Sequence, residues 1–181
     1  MANLNPAVDP NGLLEYSVVY TDRALNHMSQ NFQVVMRDVS AILKEVYNAK
    51  SALVVPGSGT YGMEAVARQF ATGKNVMVLR NGWFSYRWTQ IFEMGRIPSK
   101  ETVIRALKQG SDIQWQHAPA PLEEVVAAIL REKPEVFFAP HVETSCGIIL
   151  PTAYMRAVAD AVHSVGGLFV LDCIASGTIW V

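Results

Sequence analysis

The stretch VVPGSGTYGME, residues 54–64, reads as an apolar strand running through glycines into a helix. Two hydroxyl residues, Ser58 and Thr60, stand where that helix should begin. The first N–H groups of a helix lack carbonyl partners and the dipole there favours negative charge, so a bound phosphate is expected at this point. Glycines beside it let the backbone approach a ligand closely. Gly57, Gly59 and Gly62 also spell G-x-G-x-x-G, a dinucleotide fingerprint that is weak when it stands alone. That reading wants an acidic residue about 20 positions on, to hold ribose hydroxyls. The next strand ends instead in Leu79-Arg80-Asn81. Arg80 suits a 2′-phosphate, which keeps an NADP-binding oxidoreductase open; a purely structural tight turn is a separate alternative.

Working outward, apolar residues at Met28, Phe32, Val35, Met36, Val39, Leu43 and Val46 fall on one helical face, with Ser29 as N-cap. Residues 1–27 have no such period and read as an amino-terminal arm. The run 52–56 is expected to be a buried strand, and 61–70 a helix closed by Thr72-Gly73. Beyond it, strands are expected at 75–79, 113–116, 136–142 and 168–171. Helices are expected at 85–94, 122–131 and 151–165. Such alternation predicts an α/β fold: three layers, a mostly parallel sheet with helices on both faces. The last residues, GTIWV, form an apolar run with no cap or polar tail, and they read as the interior of a longer protein.

Composition narrows the function classes. Fifteen basic and sixteen acidic residues balance, and no basic run occurs, which argues against nucleic acid or a charged membrane surface as partner. No apolar stretch nears the roughly 18 residues of a membrane span. The first residues lack the charged start and apolar middle of a signal peptide. Cys146 and Cys173 have neither zinc nor CxxC spacing, so no metal site is expected. Two reduced thiols in a cytoplasmic protein are the reading.

Asp172 ends the last apolar strand, at the sheet edge where open α/β folds bind ligands. Desolvation there raises a carboxyl's pKa unless a cation holds the charge. A protonated ring nitrogen would serve, and pyridoxal phosphate supplies one. An Asp in that place is otherwise a helix cap or a turn residue.

Four motifs occur in order: Gly57-Ser58-Gly59-Thr60 with Met63-Glu64-Ala65; Asn81-Gly82-Trp83-Phe84; His141-Val142-Glu143-Thr144-Ser145-Cys146-Gly147; and Leu171-Asp172-Cys173-Ile174-Ala175-Ser176. Together they resemble the class V aminotransferases of the fold-type I pyridoxal phosphate enzymes, in the alanine–glyoxylate and serine–pyruvate branch. The resemblance runs from about residue 28 to the end and implies that 28–181 is an incomplete cofactor-binding large domain. It implies that Ser58, Gly59 and Thr60 hold the cofactor phosphate and that Phe84 stacks on the pyridine ring, with Trp83 as the alternative. It implies further that Thr144 lies near the phenolic oxygen, that Asp172 pairs with the ring nitrogen, and that Ile174 packs on the other ring face. The implied activity is transfer of an amino group from a small amino acid to a 2-oxo acid of the glyoxylate or pyruvate type, by a homodimer.

The sequence also departs from that family. Cys146 stands where the motif has Thr, and it reads as a small core residue rather than a catalytic thiol. The segment 15–20 is unlike the family's glycine- and proline-rich substrate loop. None of Lys44, Lys50, Lys74, Lys100, Lys108 and Lys133 matches the family's Schiff-base lysine, which follows the Asp motif. By itself the chain is expected to cradle the cofactor without transaminating. A non-catalytic paralogue that keeps the fold is the remaining alternative.

Overall fold

The computed structural model describes residues 30–111, 113 and 115–178. The arm at 1–27 and the Ser29 cap lie outside them. The chain divides into two units, Met1–Val54 with Val181, and Val55–Trp180. In the first, α1 (Gln30–Val46) carries no fully buried residue; Phe32, Met36, Val39 and Leu43 form its half-buried side, at the expected steps of three and four.

The second unit holds the sheet. In chain order it contains α2 (Gly59–Ala71), β1 (Asn75–Arg80), α3 (Trp83–Gly95), β2 (Lys100–Arg105), β3 (Leu107–Gln109) and β4 (Gln116–Ala118). There follow α4 (Leu122–Glu132), β5 (Val136–Pro140), β6 (Val142–Glu143), β7 (Ile148–Ile149), α5 (Thr152–Ser164) and β8 (Leu168–Asp172). Four strands pair in parallel in the order β2-β1-β5-β8, while β3-β4 and β6-β7 are small antiparallel hairpins.

Side chains alternate across a strand, so each central strand feeds two cores. Met77, Leu79, Phe137 and Ala139 face Val125 and Ile129 of α4 and Val158 and Val162 of α5. Val76, Val78, Val136 and Phe138 face Ala67 and Ala71 of α2 and Trp88 and Phe92 of α3. The three-layer α/β fold is therefore present. From β1 the chain moves one way to β2 through α3, then the other way to β5 and β8 through α4 and α5 on the opposite face. Changing face with direction is what crossovers of constant hand require. The reversal places a switch point between β1 and β5, and a crevice forms at the carboxyl ends of strands around such a point.

Three expectations need correction. Residues 52–56 form no strand: Leu53 is 90% exposed and no described ladder reaches them. Apolar side chains alone do not make a strand when the backbone has no neighbour to pair with, and Pro56 brings no N–H. The strand expected at 113–116 lies at Gln116–Ala118, paired with β3, while Ile113 is exposed. The strand expected at 136–142 breaks after Pro140, and Val142–Glu143 turns into the β6-β7 hairpin. Lys100–Arg105, which the pattern gave no reason to expect, is an edge strand parallel to β1.

Candidate functional site

The glycine turn leads straight into α2. Gly57 has φ +133°, in the region glycine favours, and a Cβ there would lie 2.8 Å from the Tyr61 ring. Ser58 is the N-cap in extended conformation, and its hydroxyl makes no capping bond. The Tyr61 and Gly62 N–H groups donate to the Ser58 carbonyl at 2.9 and 3.3 Å. The N–H groups of Gly59 and Thr60 precede that first bond and belong to the open start of the helix.

In front of this helix start lies a cavity of about 450 Å³, whose wall includes Gly59, Thr60, Phe84, Arg87, Trp88, Asp172 and Ile174. Five of the sequence-derived candidates thus meet in one place: Gly59, Thr60, Phe84, Asp172 and Ile174. Ser58 adjoins the wall without lining it, and Thr144 is exposed in the β6-β7 turn, outside the cavity lining. Trp83 is not in the wall either, so of the two aromatic candidates Phe84 faces the cavity. Arg80 is directed elsewhere: its guanidinium lies 5.2 Å from the Tyr86 ring centre and lines a separate groove with Glu93 and Arg96.

Among the wall residues that sequence reading did not single out, two on α3 carry buried hydrogen-bond donors. Arg87 donates from Nη1 to the Thr60 hydroxyl at 3.3 Å, which brings a cation to the start of α2. Its Nε is buried without a hydrogen-bond partner, and so is the indole Nε1 of Trp88, a residue 2% exposed. Buried donors of this kind are rarely left unpaired in a native protein, and a ligand anion is one way to satisfy them. Their signal in the sequence is only a position three and four residues after Phe84 on a helix, which places them on its adjoining face.

Asp172 lies at the far end of β8. Its Oδ1 accepts the Ile174 N–H at 3.1 Å, and its backbone carbonyl accepts the His141 N–H at 2.9 Å. His141 Nδ1 lies 2.7 Å from the buried Ser176 hydroxyl, which fastens the turn after Asp172 to the end of β5. Burial pushes the Asp172 carboxyl above its ordinary value; the Ile174 N–H works against this, and the negative charge of Glu143 adds to it. A cationic group beside it would therefore be held strongly.

Lys74 pairs with Glu135 and Lys100 with Glu132, each at 2.7 Å, and no lysine lines the cavity. Among the described residues no cluster of His, Cys, Asp and Glu suits a metal ion. Both cysteines are free thiols, and Cys146 lies outside the cavity wall. No described helix is long and apolar enough to cross a membrane.

No family model matches the chain. It is 27% identical over 148 residues to the (S)-ureidoglycine–glyoxylate transaminase of Bacillus subtilis, covering 80% of this chain and 32% of that enzyme. It is 27% identical over 156 residues to the L-aspartate–glyoxylate aminotransferase of Paracoccus denitrificans, covering 81% of this chain and 36% of that one. The crystal structure of the ureidoglycine–glyoxylate aminotransferase of Bacillus subtilis superposes on 84% of this chain with TM-score 0.70 at 23% identity, over 37% of its own length. The chain spans about a third of the length of these curated relatives. With the fold, it makes this protein a distant relative of the class V aminotransferases over about 80% of its sequence.

Proposed function

We propose that residues 28–181 form the cofactor-holding part of a pyridoxal phosphate aminotransferase that moves an amino group from a small amino acid to a 2-oxo acid such as glyoxylate or pyruvate. The observation that carries this reading is one cavity with hydrogen-bond donors at one end and a carboxylate at the other. At the first, the start of α2, the Thr60 hydroxyl and the Arg87 guanidinium converge. At the second, Asp172 is desolvated with one N–H on its carboxylate. Phe84 and Ile174 supply apolar wall between them.

These residues fit the cofactor, since the unpaired donors of Arg87 and Trp88 lie in the wall such a group would occupy. When bound, pyridoxal phosphate supplies an electron sink for the pair left behind when the α-proton departs. The protein's part is to hold it for that task. Gly59 and Thr60 N–H groups, the Ser58 and Thr60 hydroxyls and Arg87 bind the phosphate. Asp172 keeps a proton on the ring nitrogen, Phe84 and Ile174 keep the ring flat between them, and their apolar surfaces exclude water. The working protein is a cytoplasmic homodimer.

Titration with pyridoxal phosphate, followed by tryptophan fluorescence, tests this. Saturable binding is expected. Arg87→Ala should weaken it by about 10- to 100-fold, the worth of one charge-assisted hydrogen bond. Asp172→Ala should weaken it as well. NADPH should give no saturable response, and Arg80→Ala no change. An NADPH response that depends on Arg80, with none to pyridoxal phosphate, would favour the oxidoreductase instead.

A further inference from the structure

We propose that Glu143 is a positioning residue for this cavity: together with Ser145 it closes the amino terminus of α3 and so fixes Phe84 and Arg87 in the cavity wall. The part about the wall's ligand rests on the pyridoxal phosphate reading; the clasp itself does not.

The starts of α2 and α3 differ in kind. At α2 the first two residues, Gly59 and Thr60, line the cavity. At α3 the Gly82 N–H donates to the Ser85 hydroxyl, and those of Trp83, Phe84 and Ser85 are taken by side chains from the β6-β7 hairpin, some 60 residues away in sequence. The Trp83 N–H donates to Ser145 Oγ at 2.9 Å, the Phe84 N–H to Glu143 Oε1 at 3.1 Å, and the Ser85 N–H to Glu143 Oε2 at 2.9 Å. The Ser85 hydroxyl adds a bond to Oε2 at 2.7 Å, and the Ser145 hydroxyl one to Oε1 at 2.5 Å. Each carboxylate oxygen thus accepts two hydrogen bonds, which fills its lone-pair positions.

The residue before α3 is Gly82, which has no side chain to cap the helix, so the cap has to come from elsewhere. The same glycine admits it: a Cβ on Gly82 would lie 2.5 Å from Ser145 Oγ, 2.7 Å from Glu143 Cγ and 2.8 Å from Cys146 Sγ. Glu143 is fully buried and has no acceptor capacity left for a substrate proton, so a role as general base does not fit it. What it does is hold the first turn of α3, and that turn carries Phe84 at its second position and delivers Arg87 and Trp88 one turn later.

Glu143→Gln in the whole chain tests this, because glutamine keeps the shape but turns one acceptor into a donor facing N–H groups. Backbone hydrogen exchange of the Trp83–Ser85 amides should speed up at least about tenfold, while amides of β1 stay slow. Unchanged exchange at Trp83–Ser85 overturns the proposal, and so does an equal acceleration in β1, which marks a general stability role. If that variant fails to fold, Ser145→Ala removes the acceptor of the Trp83 N–H and one donor to Glu143 Oε1, and should speed exchange most at Trp83; slow exchange there overturns the proposal too. Pyridoxal phosphate affinity gives the second readout. Glu143→Gln should weaken it in the unchanged chain but cost little once Phe84 and Arg87 are both alanine; equal cost in both backgrounds overturns the positioning role. A chain that binds no pyridoxal phosphate at all removes the proposed function, while the exchange measurement still decides the clasp.

Discussion

Asp172 and Glu143 are two partly or fully buried carboxylates whose environments push them in opposite directions. Burial raises Asp172, with only the Ile174 N–H to oppose it. Burial acts on Glu143 too, but the hydroxyls and N–H groups of Ser145, Ser85 and Phe84 outweigh it and hold the group below its ordinary 4.5. For Asp172 the folded state binds the proton more tightly than the unfolded chain. Its favourable contribution is therefore present below the unfolded value and lost as pH rises through the folded one. Asp172→Asn should then stabilise the unliganded protein at neutral pH, by about 2–4 °C in midpoint if the gain is ~1 kcal/mol, while weakening cofactor binding. Thermal melts with and without pyridoxal phosphate check both halves; a lower midpoint without ligand contradicts the charge argument. A strand-end Asp was visible in the sequence. That Glu143 adds to its upward shift was not, because the two residues lie 29 positions apart and meet only where β5 and β8 end side by side.

Among the elements, α3 bears the most. One of its sides reaches the cavity through Phe84 and Arg87, while Trp88 and Phe92 pack on Phe138 of β5 at ring distances of 4.6 and 5.0 Å. The second contact is edge-to-face, the arrangement the ring quadrupoles favour. Phe138→Ala should cost about 3–5 kcal/mol, since it removes a fully buried ring and leaves a cavity between two aromatic side chains. Urea unfolding should show that loss as a lower midpoint with the slope unchanged. The helix was legible from its period, although its first two residues were not, because Trp83 and Phe84 are helical owing to a cap supplied from the β6-β7 hairpin. The edge strand β2 was illegible for a related reason: KETVIR begins with two exposed charged residues, and its strand state follows from pairing with β1.

At the scale of the whole molecule, the charged groups set a pH window. Glu143 is held low by hydrogen bonds, Glu132 by hydrogen bonds from Lys100 and Arg131, and Glu135 by one from Lys74. Groups shifted this way contribute stability above their unfolded value and lose it as pH falls through the folded one. The protein should therefore unfold at lower urea at pH 3.5 than at pH 7, with Asp172 and Glu101, both raised by burial, working the other way. An unchanged midpoint would mean that these contacts add nothing to the folded state.

The sequence by itself determined the alternation of strands and helices, the two-faced sheet, the helix start near Ser58 and Thr60 and the carboxylate at the end of β8. These are local facts, written in apolar period, turn residues and caps. Tertiary structure decided the rest. It left residues 52–56 unpaired, placed Thr144 outside the cavity wall and brought Arg87 to Thr60. It also spent Glu143 on the start of α3, where its carboxylate accepts the Phe84 and Ser85 N–H groups. Each of these depends on which backbone groups find partners far along the chain, and a linear pattern does not carry that information.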